Sequence, residues 1–263
     1  MPASQTALLE QLRLQVARIE RNGPACPPAV LGFGLPAIDQ HLPGGGLARG
    51  ALHEVAGTGP ETEHGAAPAL FVAGLAAALH GPVLWVLQRP DLFAPALAGA
   101  GLHPDRVIYA EAGKAVLLVM EEGLQHSGLA AVVGEVSGRL TLTASRRLQL
   151  AAEKSGVTAF ALRRTISFSG AELSEPAASV TRWRITSLPS PPPLPHSPLT
   201  AGLSRARWRL DLVRCRGGEP SSWIVEAPDA KGRLSLVADA ADRPAAAAHR
   251  FKPARGSARY GIS

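Results

Sequence analysis

Residues 42–70 read LPGGGLARGALHEVAGTGPETEHGAAPAL, a glycine-rich turn, a short apolar strand, a second glycine-containing loop and the start of a helix. That order of parts cradles the phosphates of a nucleotide. A loop of the GxxxxGK[ST] type also needs a lysine for the phosphate oxygens and a hydroxyl for magnesium. The loop after Val55 reads AGTGPETEHG and has no lysine. The stretch has the frame of a nucleotide site without its principal cation.

Outward from this stretch, short apolar runs alternate with helical patterns. ALHEVA, PVLWVLQ, RVIYA, LAAVVGEV and TAFALRR read as strands; GAAPALFVAGLAAALH, KAVLLVMEEGLQ and LTASRRLQLAAEKSG between them read as helices. Nearly continuous apolar strands separated by helices predict a parallel sheet covered on both faces. From Ser179 the helices stop. SVTRWRIT, ARWRLDLVRCR, SSWIVEA and GRLSLVA alternate as strands and predict an antiparallel extension of the sheet. The segment SLPSPPPLPHSPLTAGL joins the first two of them, and its prolines forbid helix and interior strand, so it is expected to be an extended surface loop.

At the N-terminus, Leu8, Leu9, Leu12, Val16 and Ile19 recur at helical spacing, with charged residues on the opposite surface, predicting an amphipathic helix over about residues 6–22. RNGPACPPAV detaches it from the rest of the chain, so it either docks back on the core or packs on a partner chain. The expected organisation is a helix and linker (1–24), one α/β domain (25–240) and a basic tail (241–263) with no acid after Arg243.

Composition permits this and selects little more. The 263 residues are 46% hydrophobic, enough for a sizeable core. A net charge of +6 allows contact with nucleic acid or an acidic protein without choosing between them. Cys26 and Cys215 form no CxxC or metal-like spacing, which points to a reduced, cytoplasmic protein. No apolar run is long enough to span a membrane. The eight histidines show no HxxxH or HxxH spacing and no serine lies in GxSxG, so neither a metal centre nor a serine nucleophile is indicated.

Residues 31–57, LGFGLPAIDQHLPGGGLARGALHEVAG, resemble the opening of the RecA-type ATPase core, G-x-x-x-[LI]-D-x-x-L-x-G-G-G-L-x-x-G. Together with WRLDLVRCRGGEP (208–220), the chain is similar over roughly residues 30–240 to the ImuA family of bacterial mutagenesis proteins. The resemblance implies an α/β fold: a RecA-like core with a mostly parallel sheet flanked by helices, antiparallel C-terminal strands and an N-terminal helix. It implies a role in SOS mutagenesis and translesion DNA synthesis, with an ImuB-type inactive Y-family polymerase relative, RecA and an error-prone replicative-type DNA polymerase as partners. A cell-division inhibitor of the SulA type and a RecA-type ATPase are the rival readings.

Against an ATPase stand three departures. The first lysine is Lys114, so nothing upstream serves as the phosphate-loop cation, which at about 4 Å would contribute roughly 4 kcal/mol of gross Coulomb attraction at an effective dielectric of about 20. Gly57, Gly59 and Gly65 keep the loop's glycines, but Glu61 and Glu63 carry the repelling charge and Pro60 offers no amide. On the strand LAAVVGEV the magnesium-organising aspartate is replaced by Gly134, and Glu135 one place on is expected to point to the other face. After WVL, where RecA-type ATPases carry the catalytic glutamate, the chain has Gln88, Arg89 and Pro90. The resemblance therefore implies a degenerate phosphate loop, no bound cofactor and no catalysis.

Two further expectations concern charge. His53 and Glu54, adjacent on a strand, are expected to form a satisfied buried polar pair. Arg182, Arg184, Arg207 and Arg209 alternate with Trp183, Ile185, Trp208 and Leu210, so pairing these strands buries the tryptophans and displays a basic stripe. The stripe is either a solvated face partly neutralised by Asp211 or a contact surface for DNA or an acidic protein.

Overall fold

The computed structural model describes residues 29–59, 65–164, 173, 175–190 and 204–237. The expected N-terminal helix with Leu8, Leu9, Leu12, Val16 and Ile19, the loop residues Pro60, Glu61 and Glu63, most of the proline-rich connection and the basic tail lie outside these residues.

The chain opens with β1 (Val30–Leu31), α1 (Pro36–Asp39) and β2 (Leu47–Ala48), a small unit in which β1 and β2 pair antiparallel. The sequence explains its shape. Asp39 accepts a hydrogen bond from the Phe33 amide at 2.7 Å and ties the turn to the helix. Gly46 lies so close to the β1 backbone that an added Cβ would sit 2.6 Å from the Leu31 carbonyl oxygen, so no other residue fits there.

Then follow β3 (Leu52–Gly57), α2 (Ala66–Ala77), β4 (Val83–Leu87), α3 (Ala94–Gly99), β5 (Val107–Glu111), α4 (Val116–Gly123), β6 (Ala131–Ser137), α5 (Leu142–Ser155) and β7 (Thr158–Arg164). The last strands are β8 (Thr181–Leu188), β9 (Arg207–Cys215), β10 (Ser221–Glu226) and β11 (Ser235–Leu236). All but the first two strands form one sheet of nine in the order β11-β10-β9-β8-β3-β7-β6-β4-β5. The block β8-β3-β7-β6-β4-β5 is parallel throughout, and β9, β10 and β11 extend it antiparallel. One expectation is corrected: β8 does not begin the antiparallel extension but pairs parallel with β3, since the polypeptide returns to the same end of the sheet before it starts.

The two faces bury separate cores. On one, α2 and α3 cover Val55, Trp85, Val133, Phe160, Leu162 and Trp183; on the other, α4 and α5 cover Leu52, Val86, Val132, Ala159 and Ala161. Successive strand residues thus go to opposite layers, as the period of two requires. Helix α2 is apolar nearly all round because most of it is enclosed. The sheet lies on one side of it and the 227–234 segment on the other, so close that a Cβ on Gly74 would meet Pro228 Cγ at 2.7 Å. Helix α5 is amphipathic, capped by the Thr141 hydroxyl, which accepts from the Ala144 amide at 3.2 Å, and ended by Gly156 in the left-handed conformation.

The antiparallel strands reach back to the opening unit. Trp223 Nε1 donates to the Ala37 carbonyl at 3.0 Å, and the Trp183 ring lies 5.4 Å from Phe33, 5.7 Å from Phe71 and 6.1 Å from Trp223. No helix among the described residues is long and apolar enough to cross a membrane.

Candidate functional site: the carboxyl edge of the parallel sheet

In open parallel sheets ligands are received where the carboxyl ends of the strands meet a loop and a helix N-terminus. Here that place holds a cavity of about 280 Å³. Gly57, Gly59 and Gly65 form one wall, Leu92, Phe93 and Leu97 another, and Glu135, Arg164 and Asp91 the charged edge. Phe93 stands at the rim, 71% exposed.

The described start of the loop after β3 is held by β8. The Thr58 amide donates to the Ile185 carbonyl at 3.1 Å and the Thr58 hydroxyl bonds that of Thr186 at 2.7 Å, so the first peptide group past the strand is engaged by β8. Where the phosphate-loop motif opens its helix with Gly-Lys-Ser/Thr, α2 opens with Gly65-Ala66-Ala67, without ammonium or hydroxyl. Gln88, at the place of the catalytic glutamate, is a neutral amide whose Oε1 accepts from the Ser137 hydroxyl.

The reading of β6 needs correction. Gly134 faces α4, where a Cβ would collide with Met120 Sδ at 2.1 Å, so an aspartate there would be driven into the core. Glu135 points to the α2 face and borders the cavity. The carboxylate is thus on the cavity's side of the sheet, opposite to expectation, because it is Gly134 and not Glu135 that faces α4. It is not a free ligand. Arg164 Nη1 donates to Glu135 Oε2 at 2.6 Å and to Asp91 Oδ1 at 2.7 Å, while Nη2 donates to Asp91 Oδ2 at 2.8 Å. Trp85 Nε1 adds a long bond of 3.4 Å to Glu135 Oε1. Burial raises the Glu135 pKa, and Arg164 opposes that rise; the Asp91 carboxyl is held below its usual range by Arg164. These residues do not fit a magnesium nucleotide, since the described loop offers no cation to phosphate and the two carboxylates already share one.

On the opposite face lies a second ionic centre. Glu54, fully buried on β3, accepts from Ser179 Oγ at 2.7 Å and Arg182 Nε at 3.1 Å on one oxygen, and from Arg163 Nη1 at 3.4 Å on the other. Arg182 Nη1 continues to the Leu173 carbonyl at 2.6 Å. Arg182 therefore does not belong to an exposed stripe: it shares a face with Arg184, but at its end of β8 it is buried, with Ser179 and the Leu173 carbonyl against it. Arg184 lies opposite Asp211 across the β8–β9 ladder, Arg207 is half-buried, and Arg209 is exposed with its Nε 3.3 Å from Asp211. The tryptophans are buried as expected.

His53 and Glu54 are each satisfied, but not by one another. His53 faces the α2 layer, where its Nε2 donates to the Ala48 carbonyl and its Nδ1 accepts from the Thr181 hydroxyl, both at 2.8 Å; Thr181 in turn accepts from Trp183 Nε1 at 2.9 Å. A carbonyl can only accept, which assigns a proton to Nε2; in the neutral ring that burial favours, Nδ1 is then the acceptor. Burial lowers its pKa to about 4. The sequence reading missed Asp91 as a partner of Arg164; its position just after Gln88-Arg89-Pro90 is the signal that was available.

Strand order, cavity position and the unit that precedes β3 define a RecA-type α/β protein. The crystal structure of the RadB recombinase matches it with a TM-score of 0.54 at 20% identity, covering 79% of this chain and 100% of that one. No family model matches the chain. Two curated relatives, Protein ImuA of Caulobacter vibrioides strains NA1000 / CB15N and ATCC 19089 / CIP 103742 / CB 15, are each 44% identical over 240 residues, covering 86% of this chain and 96% of theirs. The chain belongs to the ImuA family.

Proposed function

We propose that this chain is a non-catalytic, RecA-like accessory protein of bacterial SOS mutagenesis and translesion DNA synthesis, working in the cytoplasm through protein contacts. The observation that carries the reading is the 44% identity to Protein ImuA across nearly its whole length. Support comes from the site, whose charged groups are committed to one another and whose loop lacks the phosphate-binding cation. The partners are an ImuB-type polymerase relative, RecA and an error-prone replicative-type polymerase. Leu8, Leu9, Leu12, Val16 and Ile19 present an apolar helix face to one of them. Arg184, Arg207 and Arg209 form the face for an acidic partner or DNA backbone, with Asp211 limiting its net charge. The test is capture of partners by the intact chain from DNA-damaged cells, with steady-state ATP turnover measured on the same preparation. Recovery of an ImuB-type subunit without ATP turnover is expected. Recovery of the tubulin-like division protein instead, or turnover abolished by one loop substitution, overturns the reading.

A further inference from the structure

At the carboxyl edge of the sheet two carboxylates from different elements converge: Glu135 at the end of β6 and Asp91 in the segment leading to α3. Two such groups at the rim of a cavity form the beginning of an oxygen-ligand set for a hard divalent or trivalent cation. A cation is already seated there, and it is a side chain. Arg164 forks onto both Asp91 oxygens and touches Glu135 at 2.6 Å, giving a planar bidentate contact and a third charge-assisted bond. Arg89 Nε lies 3.6 Å from Asp91, so among the described residues two arginines face two acids here. The cluster also ties β6 and β7 to the 89–93 segment that carries Phe93 and walls the cavity.

We infer that the Arg164 guanidinium is a built-in counter-ion that takes the place of a metal ion between Glu135 and Asp91, closing this edge of the sheet to metal–phosphate ligands while fixing the wall of the cavity. The inference deepens the non-catalytic reading by giving it a cause in one residue. It can fail separately from that reading, because an absence of turnover is compatible with other causes.

Terbium(III) tests it in the full-length protein, with Trp85, bonded to Glu135, as the antenna that sensitises its luminescence. Wild type is expected to give no saturable tryptophan-sensitised signal. Arg164→Met, which removes the guanidinium the two carboxylates share, is expected to gain one, and adding Glu135→Gln or Asp91→Asn is expected to remove it. Arg164→Lys, which keeps a positive charge in place, is expected to stay dark. A saturable wild-type signal abolished by Glu135→Gln overturns the inference, as does a folded Arg164→Met protein that binds no terbium or binds it independently of Glu135. A measurement on wild type alone serves should the variants not fold: nitrogen-15 spectra of the arginine guanidinium groups are expected to show slow rotation for Arg164, and free rotation overturns the inference.

Discussion

Strand β7 ends in two arginines that point to opposite faces of the sheet, and each takes a glutamate. Arg163 meets Glu54 with both side chains almost wholly enclosed, and Arg182 and Ser179 complete the set of donors. Arg164 meets Glu135 at the edge of a cavity, with a third member, Asp91, whose side chain is 43% exposed. The residue pair is the same and the surroundings differ, so the consequences of breaking them differ. A fully enclosed ion cluster is costly to assemble and more costly to break, because the surviving charge has no water to turn to. At the cavity Glu135 and Arg164 are themselves largely buried, but Asp91 reaches water and keeps Arg164 paired when Glu135 is lost.

Removing the glutamate on each side separates the two centres most sharply. Glu54→Ala leaves Arg182 and Arg163 buried without their carboxylate and should cost about 3–5 kcal/mol in urea unfolding. Glu135→Ala, in which Asp91 retains Arg164, should cost about 1 kcal/mol in the same measurement. Equal losses would break the contrast.

The neighbours of the two glutamates sharpen it. His53 is neutral when folded, with a pKa lowered from 6.5 to about 4, whereas the unfolded ring takes up a proton below 6.5. Between those values the unfolded state binds more protons, so stability falls as the pH drops, by up to about 3 kcal/mol at pH 4. His53→Asn should remove that part of the slope between pH 7 and 4 in thermal unfolding, with a lower plateau at neutral pH. Next to Glu135, Gly134→Ala pushes a methyl into Met120 and should cost about 1–3 kcal/mol by urea unfolding. At the exposed end of the scale, Arg209→Ala should change stability by less than about 0.5 kcal/mol. Its effect belongs in a binding assay with an acidic partner or DNA.

Much of this frame was legible from pattern alone. Apolar runs such as PVLWVLQ and LAAVVGEV announced strands buried on both faces, and GAAPALFVAGLAAALH announced a helix between two of them. Glycine spacing marked the turn whose Gly46 admits no side chain. What escaped were facts of face and neighbour. Alternation shows that Arg182 and Arg184 share a face, but that Arg182 is buried depends on Leu173 and Ser179, which lie outside any periodic signal. Whether Glu135 faced the loop depended on a one-residue alignment across a strand, the interval at which a strand reverses direction. The Arg164–Asp91 fork joins residues 73 apart, which local sequence cannot encode.

The bond between Trp223 and Ala37 spans 186 residues. During synthesis the opening unit leaves the ribosome early, yet the strand that covers it is made near the end of the described chain. A nascent chain stopped before Ser221 leaves uncovered that side of α1 and the part of the Trp183 ring that Trp223 packs on, whatever the parallel strands have done by then. Closing so long a loop is slow compared with local helix formation. The described core is therefore completed in the order opposite to its reading: its first motif is among the last to be shielded from water.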